Sequence, residues 1–154
     1  MFWLIVIATF FFMEFVAWFT HKYVMHGFLW TLHKDHHVKT PQQQKSFFER
    51  NDSFFVIFAV PGSSFIILGT TIASVSFLFP IGVGITLYGL AYFLMHDIFI
   101  HQRIRFLRNS NNAYLKAARR AHKMHHKHIT KEDGECFGML FFPWKYMKKE
   151  LQSD

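Results

Sequence analysis

Three apolar stretches alternate with two polar ones along this chain. Residues 2 to 19 are apolar apart from Thr9 and Glu14, a run about long enough to cross a bilayer as a helix. Residues 22 to 52 are polar; residues 53 to 71 and 75 to 95 are apolar again, enough for two more helices of about 20 residues each. Pro61-Gly62 lies inside the first of this pair, where a proline can kink a helix, and residues 70 to 76 supply the turn between them. From Arg103 the chain is polar and basic except for residues 136 to 144, an apolar run too short to span and expected to lie in the interface or close over a site. The pattern predicts an all-α integral membrane bundle of about three spans, at residues 2–20, 53–72 and 75–97, within one domain covering 1–154. Residues 103 to 131 read as a helical segment and the tail from Lys145 as a charged end.

Charge fixes the orientation. All 17 Lys and Arg lie between Lys22 and Arg50 or from Arg103 onward, giving a net charge of +7 in a chain that is 51% hydrophobic. That segregation is the positive-inside pattern, so the polar segments are expected to form a cap on the cytoplasmic side of the inner (cytoplasmic) membrane, with membrane lipid as a partner. The basic stretches flank apolar spans and form no reading motif, which argues against nucleic acid. The first span lacks the basic leader and small-residue cleavage site of a signal peptide and is expected to remain as a helix. The single Cys136 excludes an internal disulfide or an iron-sulfur ligand set.

The polar segments carry the candidate chemistry. Ten of the eleven histidines fall into four groups: His21 and His26, then His33, His36 and His37, then His96 and His101, then His122, His125 and His126. On a helix each residue advances about 100°, so His36 and His37 flank the direction of His33 at roughly −60° and +40°, and the second triplet behaves alike. The pairs are spaced by five and diverge by roughly 140° on an ideal helix. Each pair must therefore straddle a cluster, serve different ions, or sit where the helix ends. Imidazole suits iron, copper and zinc. Ten rings are too many for one ion, whereas two ions of about six positions each leave about two positions for water or oxygen. The two membrane crossings between the second and third groups return the chain to the side it left, so all four groups meet at one face. His128 is read as a solvated side chain.

Neighbouring residues suggest supporting roles. Asp35 and Asp97 sit beside histidines and could accept the second ring N–H of a ligand. Glu14 stands seven residues before His21 and is expected to aim into the bundle below the site, an ionisable group at membrane depth. Tyr92 shares the stripe of His96 and could hydrogen-bond near it, while Gly89 could admit a close helix neighbour. Gly82-x-Gly84 lies in a span, without the strand and helix of a nucleotide-binding motif, and there is no P-loop and no haem-attachment motif. A metal centre that activates oxygen here must draw its electrons from a separate protein.

The four groups in this order resemble the bacterial β-carotene 3-hydroxylases of the CrtZ type, within the fatty acid hydroxylase and sterol desaturase superfamily. The resemblance rests also on His96-Asp97-x3-His101-Gln102-Arg103, Ala121-His122-Lys123-Met124-His125-His126, Asn51-Asp52 and Phe137-Gly138-x-Leu140-Phe141, and it covers nearly the whole chain. It implies that the ten histidines hold two non-haem irons, that O2 is the co-substrate, and that an external, ferredoxin-type donor supplies electrons. The implied reaction is a monooxygenase step in carotenoid biosynthesis: carbon 3 of a β-ionone ring is hydroxylated, taking β-carotene to β-cryptoxanthin and zeaxanthin. A superfamily enzyme acting on an acyl chain or a sterol is the alternative. A membrane metal carrier is disfavoured because residues 53 to 95 contain no Asp, Glu, Lys, Arg or His to pass an ion. A haem protein would need only two axial histidines per haem.

Overall fold

The computed structural model describes residues 1–41, 46–104 and 109–152. Every regular element among the described residues is helical. Three helices are long and apolar enough to cross a membrane, over Phe2–Phe28, Arg50–Thr71 and Leu78–Ile100. The first comprises α1 (Phe2–Phe19) and a wide-turned extension, Thr20–Phe28, with α2 (Trp30–His37) following a break at Gly27. A 3-10 turn, Arg50–Asp52, leads into α3 (Ser53–Thr71), and a second, Ala73–Val75, joins it to α4 (Leu78–Phe93). Helix α4 runs into another wide turn, Leu94–Ile100, before α5 (Ala113–His125) and α6 (Trp144–Leu151).

These spans are apolar on every side because lipid is their solvent. Phe12 and Phe55 are each 60% exposed, and Leu4, Val56 and Ile67 are exposed beside them. Surfaces of that kind face hydrocarbon, where burying them further gains little and packing decides which faces meet. Helix α4 packs against both α3 and α1, and glycine is what lets it approach. A Cβ at Gly82 would lie 2.7 Å from the carbonyl of Gly62 on α3, and one at Gly84 would lie 2.6 Å from Thr9 Cβ and 2.8 Å from the Val6 carbonyl on α1. The sequence suggested Gly89 for this role, but no atom lies within 4 Å of a Cβ built there. Pro61 is accommodated inside α3, which continues through it.

The cap packs differently. Asn112 caps α5 by accepting the Leu115 N–H at 3.1 Å, and Ala117 and Ala121 form a core with Cys136 and Tyr146. The helix is shorter than the expected 103 to 131, and residues 105–108 of that range lie outside the described ones. The tail is not merely a charged end. Its α6 turns Tyr146 and Glu150 inward, and Glu150 accepts from Arg120 on α5 at 2.7 Å.

Candidate metal centre

The wide turns resolve the geometry of the five-spaced pairs. In each, a backbone N–H reaches back five residues: Leu29 to the Val24 carbonyl at 3.0 Å, and His101 to the His96 carbonyl at 2.8 Å. Such π-helical turns bring residue i+5 back over residue i, so the divergence of an ideal α-helix disappears. His21 and His26 serve the same cluster, with ring centroids 5.1 Å apart, and His96 and His101 serve the other at 4.5 Å.

The triplets, in contrast, divide. A first cluster holds His21, His26, His33, His37 and His125, with one ligand atom of each within 4.8 Å of all the others. A second holds His36, His96, His101 and His122 under the same limit, and His126 joins it with Nε2 2.9 Å from Nε2 of His122. Each triplet thus sends rings to both sides. The seam between the clusters is the stacked pair His37 and His126, at 4.2 Å and 22°. His128 stays exposed and outside both.

Within each cluster the Nε2 atoms converge. Separations are 3.1 Å for His21 and His33, 3.0 Å for His37 and His33, 3.2 Å for His26 and His125, 3.0 Å for His96 and His36, and 2.9 Å for His101 and His122. Two imidazole nitrogens about 2.1 Å from one ion and at right angles are about 3.0 Å apart. Where both rings of a pair meet an acceptor at the outer nitrogen, that acceptor explains why the Nε2 contact is not a hydrogen bond. Nδ1–H of His21 donates to the Phe137 carbonyl at 2.9 Å, that of His26 to Ile129 at 2.8 Å, and that of His125 to Glu135 at 3.1 Å. A carbonyl only accepts, so the proton of each neutral ring sits on Nδ1 and Nε2 presents a lone pair. His26 and His125 therefore aim two lone pairs at each other, an arrangement that a shared cation stabilises.

Burial keeps the rings neutral. It drives His36, His101 and His122 well below the ordinary histidine value, with the neighbouring imidazoles acting in the same direction. It lowers His33 to about 3, His125 to about 2 and His126 to about 4, and pushes His37 down as well. Neutral imidazole is the form that binds metal. The donor set, its spacing and its protonation all fit two metal ions.

Some of the expected supporting residues lie elsewhere. Asp97 accepts from Nδ1 of His96 at 3.2 Å, and the Tyr92 ring lies 5.0 Å from the His96 ring. Asp35 instead accepts the Arg50 N–H at 2.7 Å and so braces the turn before α3. The polar partners of its triplet are Asn51, which accepts from His33 at 2.6 Å, and Glu49, which accepts from His36 at 2.9 Å. Sequence reasoning missed Glu49, although Glu49 and Asp52 form a reciprocal capping box at the 3-10 turn, a spacing visible in the chain. Nor does Glu14 reach a histidine. One of its oxygens accepts the N–H groups of Met139, Leu140 and Phe141 at 2.8, 2.9 and 3.0 Å, and the other accepts the Tyr88 hydroxyl at 2.6 Å.

The loop that Glu14 holds is the short apolar run after Cys136, and it closes over the first cluster. Cys136 turns it with a left-handed backbone, φ 61°. Phe137 follows, buried, with its ring 5.5, 5.3 and 5.0 Å from those of His21, His26 and His125. On the lipid side the same loop borders an open groove of about 490 Å³, lined by Phe11, Glu14, Phe15, Trp18, Gly138 and Phe141.

Comparisons with known proteins identify the family. The model of the fatty acid hydroxylase family matches residues 6–149. A β-carotene hydroxylase of Pseudescherichia vulneris is 44% identical over 138 residues, 90% of this chain and 75% of that protein. One from Pantoea ananas is 42% identical over 143 residues, 91% and 77% of the two chains, and one from a Paracoccus strain is 36% identical over 141 residues, 91% and 83%. No solved structure matches the chain. With its histidine groups inside the matched range, the chain belongs to the fatty acid hydroxylase family, in the branch of the bacterial β-carotene hydroxylases.

Proposed function

We propose that this protein is a β-carotene 3-hydroxylase, a di-iron monooxygenase that hydroxylates β-ionone rings and converts β-carotene through β-cryptoxanthin to zeaxanthin. The observation that carries the reading is the pair of five-histidine clusters with inward-facing lone pairs, set at the end of an apolar bundle. In this reading His21, His26, His33, His37 and His125 hold one iron, and His36, His96, His101, His122 and His126 hold the other. Iron with O2 supplies the oxidising power that a ring methylene needs, since such a C–H offers no proton acidic enough for a side-chain base. The electrons come from a separate donor of the ferredoxin type. The cap faces the cytoplasm, in keeping with the positive charge on that side of the spans.

The chain's own residues supply access and exclusion. A carotenoid dissolved in the bilayer meets α1 from the side, where the aromatic groove at Phe11, Phe15 and Trp18 lies open to lipid. Phe137 covers the first cluster from the loop that forms the groove's other wall, and its apolar ring keeps water from the histidines it packs on. Glu14 holds that loop in place through three amides.

Pigment analysis tests the reading. Expression in a host that makes β-carotene, with a competent reductase present, gives β-cryptoxanthin and then zeaxanthin, and isotopically labelled O2 places its label in the new hydroxyl. Recovery of β-carotene alone alongside folded, iron-loaded protein overturns the carotenoid assignment and points to an acyl or sterol substrate.

A further inference from the structure

The two clusters differ in what stands behind their rings. In the first, His21, His26 and His125 donate to main-chain carbonyls and His33 to the neutral Asn51 amide; among the described residues no carboxylate reaches a ring of this cluster. In the second, His36 donates to Glu49 at 2.9 Å and His96 to Asp97 at 3.2 Å.

Arg103 ties those two carboxylates together. The left-handed backbone at Gln102, φ 54°, turns the chain sharply after His101, and the Arg103 N–H then returns to the Asp97 carbonyl at 3.0 Å. The guanidinium places Nη2 3.1 Å from Glu49 and 2.7 Å from Asp52, and Nε 3.0 Å from Asp97. Its rigid fork suits such a bridge. Lys39 contacts Glu49 at 2.6 Å. Among the described residues of this network three carboxylates face two cations, so its formal charge is negative.

A carboxylate behind a ligating imidazole raises its basicity and fixes its orientation, and nearby negative charge favours the more highly charged state of an ion. Resting on the di-iron reading above, we infer that the two iron sites are inequivalent: Glu49 and Asp97, clamped by Arg103, make the second cluster the tight site that favours the oxidised ion, and leave the carbonyl-backed first cluster as the labile one. Glu49, Asp97 and Arg103 are positioning residues in this scheme, acting through His36 and His96.

Iron release reads the asymmetry directly. The full-length protein, purified in detergent with its iron and challenged with a ferrous chelator, releases metal in two phases of equal amplitude. Glu49→Gln keeps the shape and removes the charge; it accelerates the slow phase by about 10–100-fold, the range expected when such a partner is lost, and spares the fast phase. Asn51→Asp places a charge behind His33 and slows the fast phase. In spectroelectrochemistry the same substitutions move opposite couples, Glu49→Gln raising the lower potential and Asn51→Asp lowering the higher one. Release in a single phase, or a Glu49→Gln protein that speeds both phases alike while Asn51→Asp changes neither, overturns the inference. Failure of the wild-type protein to hold two irons strikes instead at the di-iron reading beneath it.

Discussion

Between residues 53 and 93 the spans contain no Asp, Glu, Lys, Arg or His, whereas the cap gathers ten imidazoles and assigns most of their outer nitrogens an acceptor. In the spans a side chain is chosen for being apolar, and a neighbour of different shape serves nearly as well because lipid fills the difference. Identity matters where two backbones nearly touch, at Gly69, Gly82 and Gly84. In the cap six of the ten rings are fixed at both ends, by an acceptor at Nδ1 and by a neighbour at Nε2. Composition therefore specifies the stem, and atomic position specifies the cap.

The contrast is broken most severely by removing a ring. Replacing His33 or His122 by Ala is expected to abolish hydroxylation and to lower bound iron, while His128→Ala leaves both unchanged; metal analysis beside pigment yield checks the three proteins. Full activity in a protein lacking both His33 and His122 would contradict a shared centre.

A smaller loss is expected at Glu14, where the cap is anchored into the stem. Glu14→Ala strands one buried and two partly buried N–H donors and the buried Tyr88 hydroxyl, an unsatisfied buried group costing about 1–3 kcal/mol. Loosening of the Phe137 loop should cut pigment yield while iron content stays near the wild-type level, and Glu14→Gln should recover part of the yield. A Glu14→Ala protein that loses its iron entirely would mean that the carboxyl supports the ions rather than the loop.

Smallest are the effects within the stem, and they sharpen the comparison there. Gly84→Ala presses a methyl group against Thr9 and the Val6 carbonyl and should destabilise the α1–α4 contact by about 1–3 kcal/mol. Gly89→Ala meets nothing within 4 Å and should be neutral or slightly stabilising, as should lipid-facing Phe55→Leu. Thermal unfolding in detergent ranks the three, and equal midpoints for Gly84→Ala and Gly89→Ala would remove the case for close packing at Gly84.

The same contrast explains what was legible in the sequence. Span positions follow from hydropathy, and the observed helices match them within a few residues apart from the His21–His26 extension of the first. The four histidine groups stood out by spacing, and the two-crossing topology brought them to one end. Their division did not, because an α-helical projection puts a triplet on one face and cannot show that His33 and His37 turn to one cluster while His36 turns to the other. Asp97 was found because it adjoins its histidine in the chain. Glu49 is 13 residues from His36 in the chain, a separation at which no periodicity guides the eye. Glu14 was noticed for its depth and charge, but its true partners are amides 125 to 127 residues away.

The wide turn at His21 also acts as a phase setter. Five residues occupy the turn where four would close an α-helix, so the chain carries one residue of surplus length between His21 and His26. Deleting Tyr23 would let an ordinary helix form with two histidines still four apart on one face. The same residues wound as an ordinary α-helix, with no deletion, would instead rotate everything beyond by about 100°, carrying His33, His36 and His37 together out of register with α4 and α5. The wide turn absorbs one residue in the first histidine pair and so sets the angle at which the next three arrive.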